Sequence, residues 1–151
     1  MRKHFEPNVL IYFDGACAPI NPCGHLGLGC YIEENGKRVF EYSGYVAESY
    51  ENSNNVAEYL ALENALDFIL ENGLQDEKIQ VYGDSMLVIK QMNDRWRIKG
   101  GRYFETAIRC KEKVKNIKNI MFDWIPREKN YLADKLSNAE LIRHGVKLFI
   151  K

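Results

Sequence analysis

The 151-residue chain predicts an α/β fold, a five-stranded mixed sheet with helices on both faces. Three observations carry this. Val9-Leu10-Ile11-Tyr12-Phe13 is a continuous apolar run of β-prone residues, the pattern of a central strand covered on both faces. Asn35-Gly36 separates two further strand-like segments, and this pair favours a tight hairpin because both residues tolerate positive φ. Beyond residue 50, segments of helical periodicity alternate with short strands. A meander followed by such alternation gives a mixed sheet between helical layers.

Taken in order, the first strand ends at Asp14-Gly15, and residues 15–27, with Pro19, Asn21, Pro22 and three glycines, read as a loop. Strands follow over Leu28 to Glu33 and Arg38 to Val46. Ser53 to Asn72 reads as a helix, with Ser53 or Asn54 capping its first turn and Gly73 ending it. Val56, Leu60, Ala61, Leu66, Ile69 and Leu70 give it an apolar side. Lys78 to Gly83 is the next strand, and Asp84-Ser85 opens a short helix to about Met92. Gly100-Gly101 precedes a basic helix over about Tyr103 to Asn116. Ile120 to Ile125 is the last strand, stopped by Pro126. Asn130 caps a final helix that Gly145 ends. The order is β-β-β-α-β-α-α-β-α.

Composition narrows the function classes. A hydrophobic fraction of 46% with 28% charged residues fits a soluble domain, and no apolar run approaches the roughly 18 residues a bilayer requires. Met1-Arg2-Lys3-His4 leads into a strand-like segment rather than the apolar stretch of a signal peptide. We therefore expect one domain over residues 1–151, cytoplasmic, with no membrane partner and no obligate protein partner evident. Cys17, Cys23, Cys30 and Cys110 form no C-x-x-C pair, and the three histidines lie far from Cys110, which argues against a zinc cluster. Cys17 and Cys23 share a loop and are able to pair under oxidation. Net charge is zero but unevenly spread. Glu48 to Glu77 holds eight acids and no Lys or Arg, while Arg95 to Lys118 holds nine bases and two acids. One stretch suits cations and the other phosphates; two solvated helix faces of opposite sign are the alternative.

Four acids sit where structure alone would not choose them. Asp14 ends the central strand, Glu58 lies near the start of the first long helix, Asp84 sits where a strand passes into a helix, and Asp134 is one turn into the last helix. Ligands of open α/β sheets bind outside the carboxyl ends of strands, so parallel neighbouring strands would bring Asp14 and Asp84 together. Convergent carboxylates repel one another and need cations, and an all-oxygen set suits Mg²⁺ or Mn²⁺. Two such ions about 3.5–4 Å apart can activate water and stabilise the leaving oxygen of a phosphodiester. Singly, each acid is equally at home as a helix cap or a surface residue.

The motifs Tyr12-Phe13-Asp14-Gly15-Ala16, Ser53-Asn54-Asn55-Val56-Ala57-Glu58, Gly83-Asp84-Ser85 and residues 124–134 (WIPREKNYLAD) resemble, in this order and spacing, the type 1 ribonuclease H proteins over nearly the whole chain. The resemblance implies the ribonuclease H-like fold with sheet order 3-2-1-4-5. It also implies endonucleolytic hydrolysis of the RNA strand of RNA–DNA hybrids by two Mg²⁺ ions, with Mn²⁺ a substitute, leaving 5′-phosphate and 3′-hydroxyl ends. Asp14, Glu58, Asp84 and Asp134 become the catalytic, metal-binding tetrad. The resemblance further implies that Asn54 and Asn55 contact the hybrid, where an amide suits a 2′-hydroxyl, a role that can coexist with helix capping. Gly15 and Ala16 permit close approach of the RNA strand. Ser53 resembles the residue that binds a DNA phosphate, and Trp96 the aromatic residue of the DNA channel, although ordinary packing also accounts for Trp96.

In two departures from the bacterial pattern the chain resembles the compact, archaeal-like branch. The loop before Asp134 has Arg127 where many bacterial members carry a histidine. Arg127 suits a phosphate or leaving group but stays protonated and cannot be a general base. His25, in the glycine loop, is a weaker substitute, and His144 reads as a helix C-terminal residue. The basic protrusion that grips the hybrid is also missing, leaving Arg97, Lys99 and Arg102 to supply salt-sensitive phosphate contacts. Two alternatives to the hybrid nuclease are a catalytically silent hybrid-binding module and the same fold cleaving double-stranded RNA.

Overall fold

The computed structural model describes residues 5–148; the Met1-Arg2-Lys3-His4 start lies outside the described residues. The sheet is formed by β1 (Val9–Ala18), β2 (His25–Glu34), β3 (Lys37–Val46), β4 (Lys78–Gly83) and β5 (Asn119–Trp124), in the order β3-β2-β1-β4-β5. The helices are α1 (Asn54–Glu71), α2 (Met86–Met92), α3 (Phe104–Val114) and α4 (Tyr131–Arg143), with a single 3₁₀ turn at Arg127–Lys129. β1, β2 and β3 form the antiparallel meander, and β1, β4 and β5 run parallel. Asn35 and Gly36 both take positive φ, 51° and 81°, as the hairpin requires.

The loop expected over residues 15–27 is much shorter. β1 continues through Ala18 and β2 begins at His25, with Asp14 opposite Gly29, Gly15 opposite Leu28 and Ala16 opposite Gly27. The glycines that look like turn residues serve close packing instead. A Cβ at Gly15 would sit 2.4 Å from the backbone of Ala57 in α1, and one at Gly27 would sit 1.9 Å from the Ser137 carbonyl of α4. Residues opposite one another in a ladder share a face, and the face alternates along the strand. α1 and α4 therefore press on opposite faces of the same two strands.

β1 is thus the central strand covered on both faces, although the coverage is unequal. Val9, Ile11 and Phe13 are fully buried with Tyr59, Leu62, Leu66, Ile69, Ile79 and Val81 in the main core. On the α4 face Leu10 and Tyr12 are half-buried. There Tyr12 stacks on Tyr31 with centroids 4.7 Å apart and meets Tyr82 at 5.2 Å, an aromatic ladder across three strands.

Candidate active site

Each acid is delivered by a different device. β1 and β4 pair as far as Phe13 opposite Gly83, so Asp14 and Asp84 follow the last paired residues of two parallel neighbours. Asp14 does not end its strand, however; it lies inside β1, where pairing with β4 stops and pairing with β2 goes on. Ser53 caps α1, its Oγ accepting from Val56 N at 3.2 Å, and fixes the start of the helix that carries Glu58. Ser85 does the same for α2 beside Asp84, at 3.3 Å from Val88 N.

The carboxylates of Asp14, Glu58 and Asp84 each place an oxygen within 4.8 Å of the others. Asp134 lies within hydrogen-bond reach of Asp14 and also approaches Arg127, whose Nη2 is 3.5 Å from Asp134 Oδ1. All four line one open cleft of about 140 Å³, with Asn54 and Arg127 on its walls. Asp14 is 5% and Glu58 8% exposed. Burial first, then the Asp84 charge, holds the Asp14 carboxyl well above its usual range, and burial followed by the charges of Asp14 and Asp84 does the same for Glu58. Burial also raises Asp84, against a hydrogen bond from Asn130 and the charge of Arg127. One buried oxygen, Glu58 Oε1, has no hydrogen-bond partner. An oxygen-only donor set, mutually repelling and with an orphaned acceptor, fits a hard divalent cation. Asp14, Glu58 and Asp84 are the residues placed to hold it, with Asp134 alongside.

The remaining site candidates divide between this cleft and its rim. Gly15, Ala16 and Asn54 line the cleft. Asn54 commits Oδ1 to the backbone N–H of Cys17 at 2.8 Å, so its NH₂ group is what it offers a ligand. Ser53 and Asn55 lie instead on a neighbouring shallow cavity of about 260 Å³, shared with Asn21 and Arg102. Arg102 is held there by a 2.7 Å bond from Nε to the Tyr50 carbonyl and by its position over the Tyr50 ring, 4.6 Å from the centroid. Trp96 stands further out, 46% exposed, between Arg95 and Arg97. His25 is taken up by Tyr45, whose hydroxyl is 2.7 Å from Nδ1, and His144 is the C-cap of α4, stacked on the same Tyr45 at 3.6 Å.

Two sequence readings change. Asn130 does not cap α4 with its side chain. It turns inward, donating from Nδ2 to the Phe13 carbonyl at 2.9 Å and to Asp84 Oδ2 at 3.4 Å. Nothing local in the sequence signals this, because both partners are distant in the chain. The acidic and basic stretches, in turn, are not two solvated faces. α1 packs on α3, and Glu63 takes a bidentate bond from Arg109 (2.7 and 2.9 Å) and another from Lys113 (2.8 Å), which also reaches Asp67. Arg95, Arg97 and Lys99, flanking Trp96, carry no ion pair among the described residues and remain available to phosphates. All four cysteines are free thiols.

The fold is shared with known proteins. The family model described as "Reverse transcriptase-like" matches residues 13–140. The bifunctional protein Rv2228c of Mycobacterium tuberculosis is 33% identical over 86 residues, 57% of this chain, and the chain spans only 23% of that relative's length. Ribonuclease HI of Halobacterium salinarum is 32% identical over 131 residues, 86% of this chain and 62% of that protein. The solved structure of LC11-RNase H1 in complex with an RNA/DNA hybrid is 35% identical, covers 86% of this chain and 94% of that one, and superposes with a TM-score of 0.75. With the family model spanning most of the chain, and a solved relative above 30% identity matched over nearly its full length, the chain belongs to the reverse transcriptase-like family and, within it, to the type 1 ribonuclease H proteins.

Proposed function

We propose that residues 1–151 act as a single ribonuclease H domain that hydrolyses the RNA strand of RNA–DNA hybrids, leaving 5′-phosphate and 3′-hydroxyl ends. The observation that carries this is the gathering of Asp14, Glu58 and Asp84 within 4.8 Å, with Asp134 adjoining, at the floor of an open cleft. Two Mg²⁺ ions, or Mn²⁺ in their place, supply activation of the attacking water and stabilisation of the leaving oxygen when bound.

The chain's own groups do the rest. The four carboxylates would hold the cations, Asp14 and Glu58 from buried positions and Asp84 and Asp134 from half-buried ones. Gly15 and Ala16 present a slim strand to the RNA backbone, and the Asn54 amide donates to a 2′-hydroxyl. The Ser53 hydroxyl, Asn55 and Arg102 form a cradle suited to a phosphate of the DNA strand. Trp96 offers a flat surface to that strand's sugars and bases, and the cations beside it supply charge. Arg127, held at the mouth by Asp134, is placed to meet the phosphate at the cut and to favour departure of the leaving group by charge, not by taking a proton. A cytoplasmic setting suits four unpaired thiols. Among the described residues no helix is long and apolar enough to cross a membrane.

The test is a substrate panel with Mg²⁺, Mn²⁺ or EDTA: hybrid, RNA duplex, single-stranded RNA and DNA duplex. Metal-dependent cleavage confined to the RNA of the hybrid is the expected result. Hybrid binding without cleavage under every metal condition would replace the proposal with a silent binding module. Equal cleavage of the RNA duplex would overturn the hybrid preference.

A further inference from the structure

We infer that Asn130 is a positioning residue for the carboxylate cluster, fixing Asp84 and β1 relative to α4 so that the acids are set for a divalent cation. The inference rests on the cation site proposed above. Asn130 is 1% exposed and immediately precedes α4, and its carbonyl accepts from Asp134 N at 3.0 Å. Its NH₂ group reaches two of the other three acid-bearing segments. One contact is the carbonyl of Phe13, the residue before Asp14, and the other is the Asp84 carboxylate itself. One planar amide thus ties β1, the β4–α2 junction and the start of α4 together.

The arrangement is costly by ordinary criteria. An asparagine at this position normally turns its oxygen to the helix N–H groups. Here α4 has no side-chain cap, and Asn130 Oδ1 is buried without a partner. Both features weaken the fold, and what they leave in place is the pair of inward bonds. The choice of an amide follows from the charges around it. Asp84 lies beside Asp14 and Asp134, and repulsion among them favours splaying. A lysine or arginine at position 130 would hold Asp84 but would compete with the cation, and a carboxylate would add to the repulsion. A neutral donor orients one oxygen of Asp84 and leaves the charge of the cluster intact for the ion.

Asn130→Leu keeps the branching of the side chain, at a larger volume, while removing both donors and the orphaned oxygen; Asn130→Ser keeps one short donor. The full chain is titrated with MnCl₂ by calorimetry, its Tm is measured, and hybrid cleavage is measured at rising Mn²⁺. For Asn130→Leu we expect a Mn²⁺ Kd about tenfold weaker with Tm held or raised. Its kcat should be lowered by about 10- to 100-fold, with KM for the hybrid within about twofold and part of kcat restored at high Mn²⁺. Asn130→Ser should fall between. Parental Mn²⁺ affinity and kcat in either folded variant would overturn the inference, as would affinity losses that merely track losses of Tm. If the parental chain binds Mn²⁺ but cuts no hybrid, the nuclease reading fails, and the Kd and Tm of the variants still decide the role of Asn130. A parental chain that holds no Mn²⁺ overturns both.

Discussion

Glu58 occupies the space that a side chain at Gly15 would need: a Cβ there would lie 2.5 Å from the Glu58 backbone nitrogen and 2.4 Å from the Ala57 carbonyl carbon. The helix can bring Glu58 beside Asp14 because the next residue of the strand has no side chain. Gly15→Ala is therefore expected to push α1 off the sheet, costing about 1–3 kcal/mol in urea unfolding, and to weaken Mn²⁺ binding. Gly36→Ala is the control. Its φ of +81° makes it unfavourable by about 1 kcal/mol, but open space surrounds it and it is remote from the acids, so Mn²⁺ affinity should not change.

Asp14→Asn and Asp84→Asn should each lower hybrid cleavage by about 10²- to 10³-fold or more while leaving the circular dichroism spectrum intact. In EDTA both variants should melt above the parental chain, because each removes one charge from a buried, self-repelling group. Mg²⁺-dependent activity unchanged in either variant would remove that residue from the site.

The raised carboxyls set a direction for pH. In the unfolded chain these acids lose their protons near their ordinary values, 3.8 for Asp and 4.5 for Glu, whereas the folded site holds the protons to higher pH. Below those ordinary values the cluster does not penalise folding. As pH rises past them, the penalty grows until the folded carboxyls also ionise. The Tm of the metal-free chain should consequently fall, relative to Asp14→Asn, as pH rises past those ordinary values. Mn²⁺ should erase the difference, and its own affinity should rise with pH as protons leave the ligands. Parallel Tm–pH curves for the two proteins would contradict the assignment.

Glu63 behaves oppositely. Burial alone would push its carboxyl up, but the hydrogen bonds from Arg109 and Lys113 outweigh it and bring it below the ordinary range. That stabilisation is present above pH 4.5 and is lost as pH falls through the lowered value. Glu63→Gln should cost about 1–2 kcal/mol at neutral pH, discounted because Arg109 is half exposed. The difference from the parental chain should shrink in acid. Hybrid cleavage should be retained, since the pair joins α1 to α3 away from the cleft.

Much of this architecture can be read from local pattern. The Val9-to-Phe13 run, the Asn35-Gly36 turn and the capping serines Ser53 and Ser85 each act through their neighbours, so the elements they define lie close to where the sequence places them. What cannot be read that way depends on a distant partner. Gly15 and Gly27 look like turn residues because the helices that require them belong to segments far along the chain. Asn130 looks like a cap because its amide is turned by a carbonyl 117 residues away. The opposite charges of residues 48–77 and 95–118 suggest separate ligands until packing of α1 on α3 shows that part of each is answered by the other. The four acids stand out in the sequence by position, after an apolar strand run, at a strand-to-helix junction and near two helix starts, although Asp14 proves to lie inside its strand rather than at its end. The inward turn of Asn130 is visible only once those elements are assembled.

The placement of α1 and α4 on opposite faces of β1 and β2 has a consequence for timing. Glu58 comes from one layer and Asp134 from the other, while Asp14 and Asp84 come from the sheet between them. A chain with either layer undocked lacks a member of the quartet, however well the rest is formed. Cutting power should therefore appear only once both layers have docked, and should vanish when either is released.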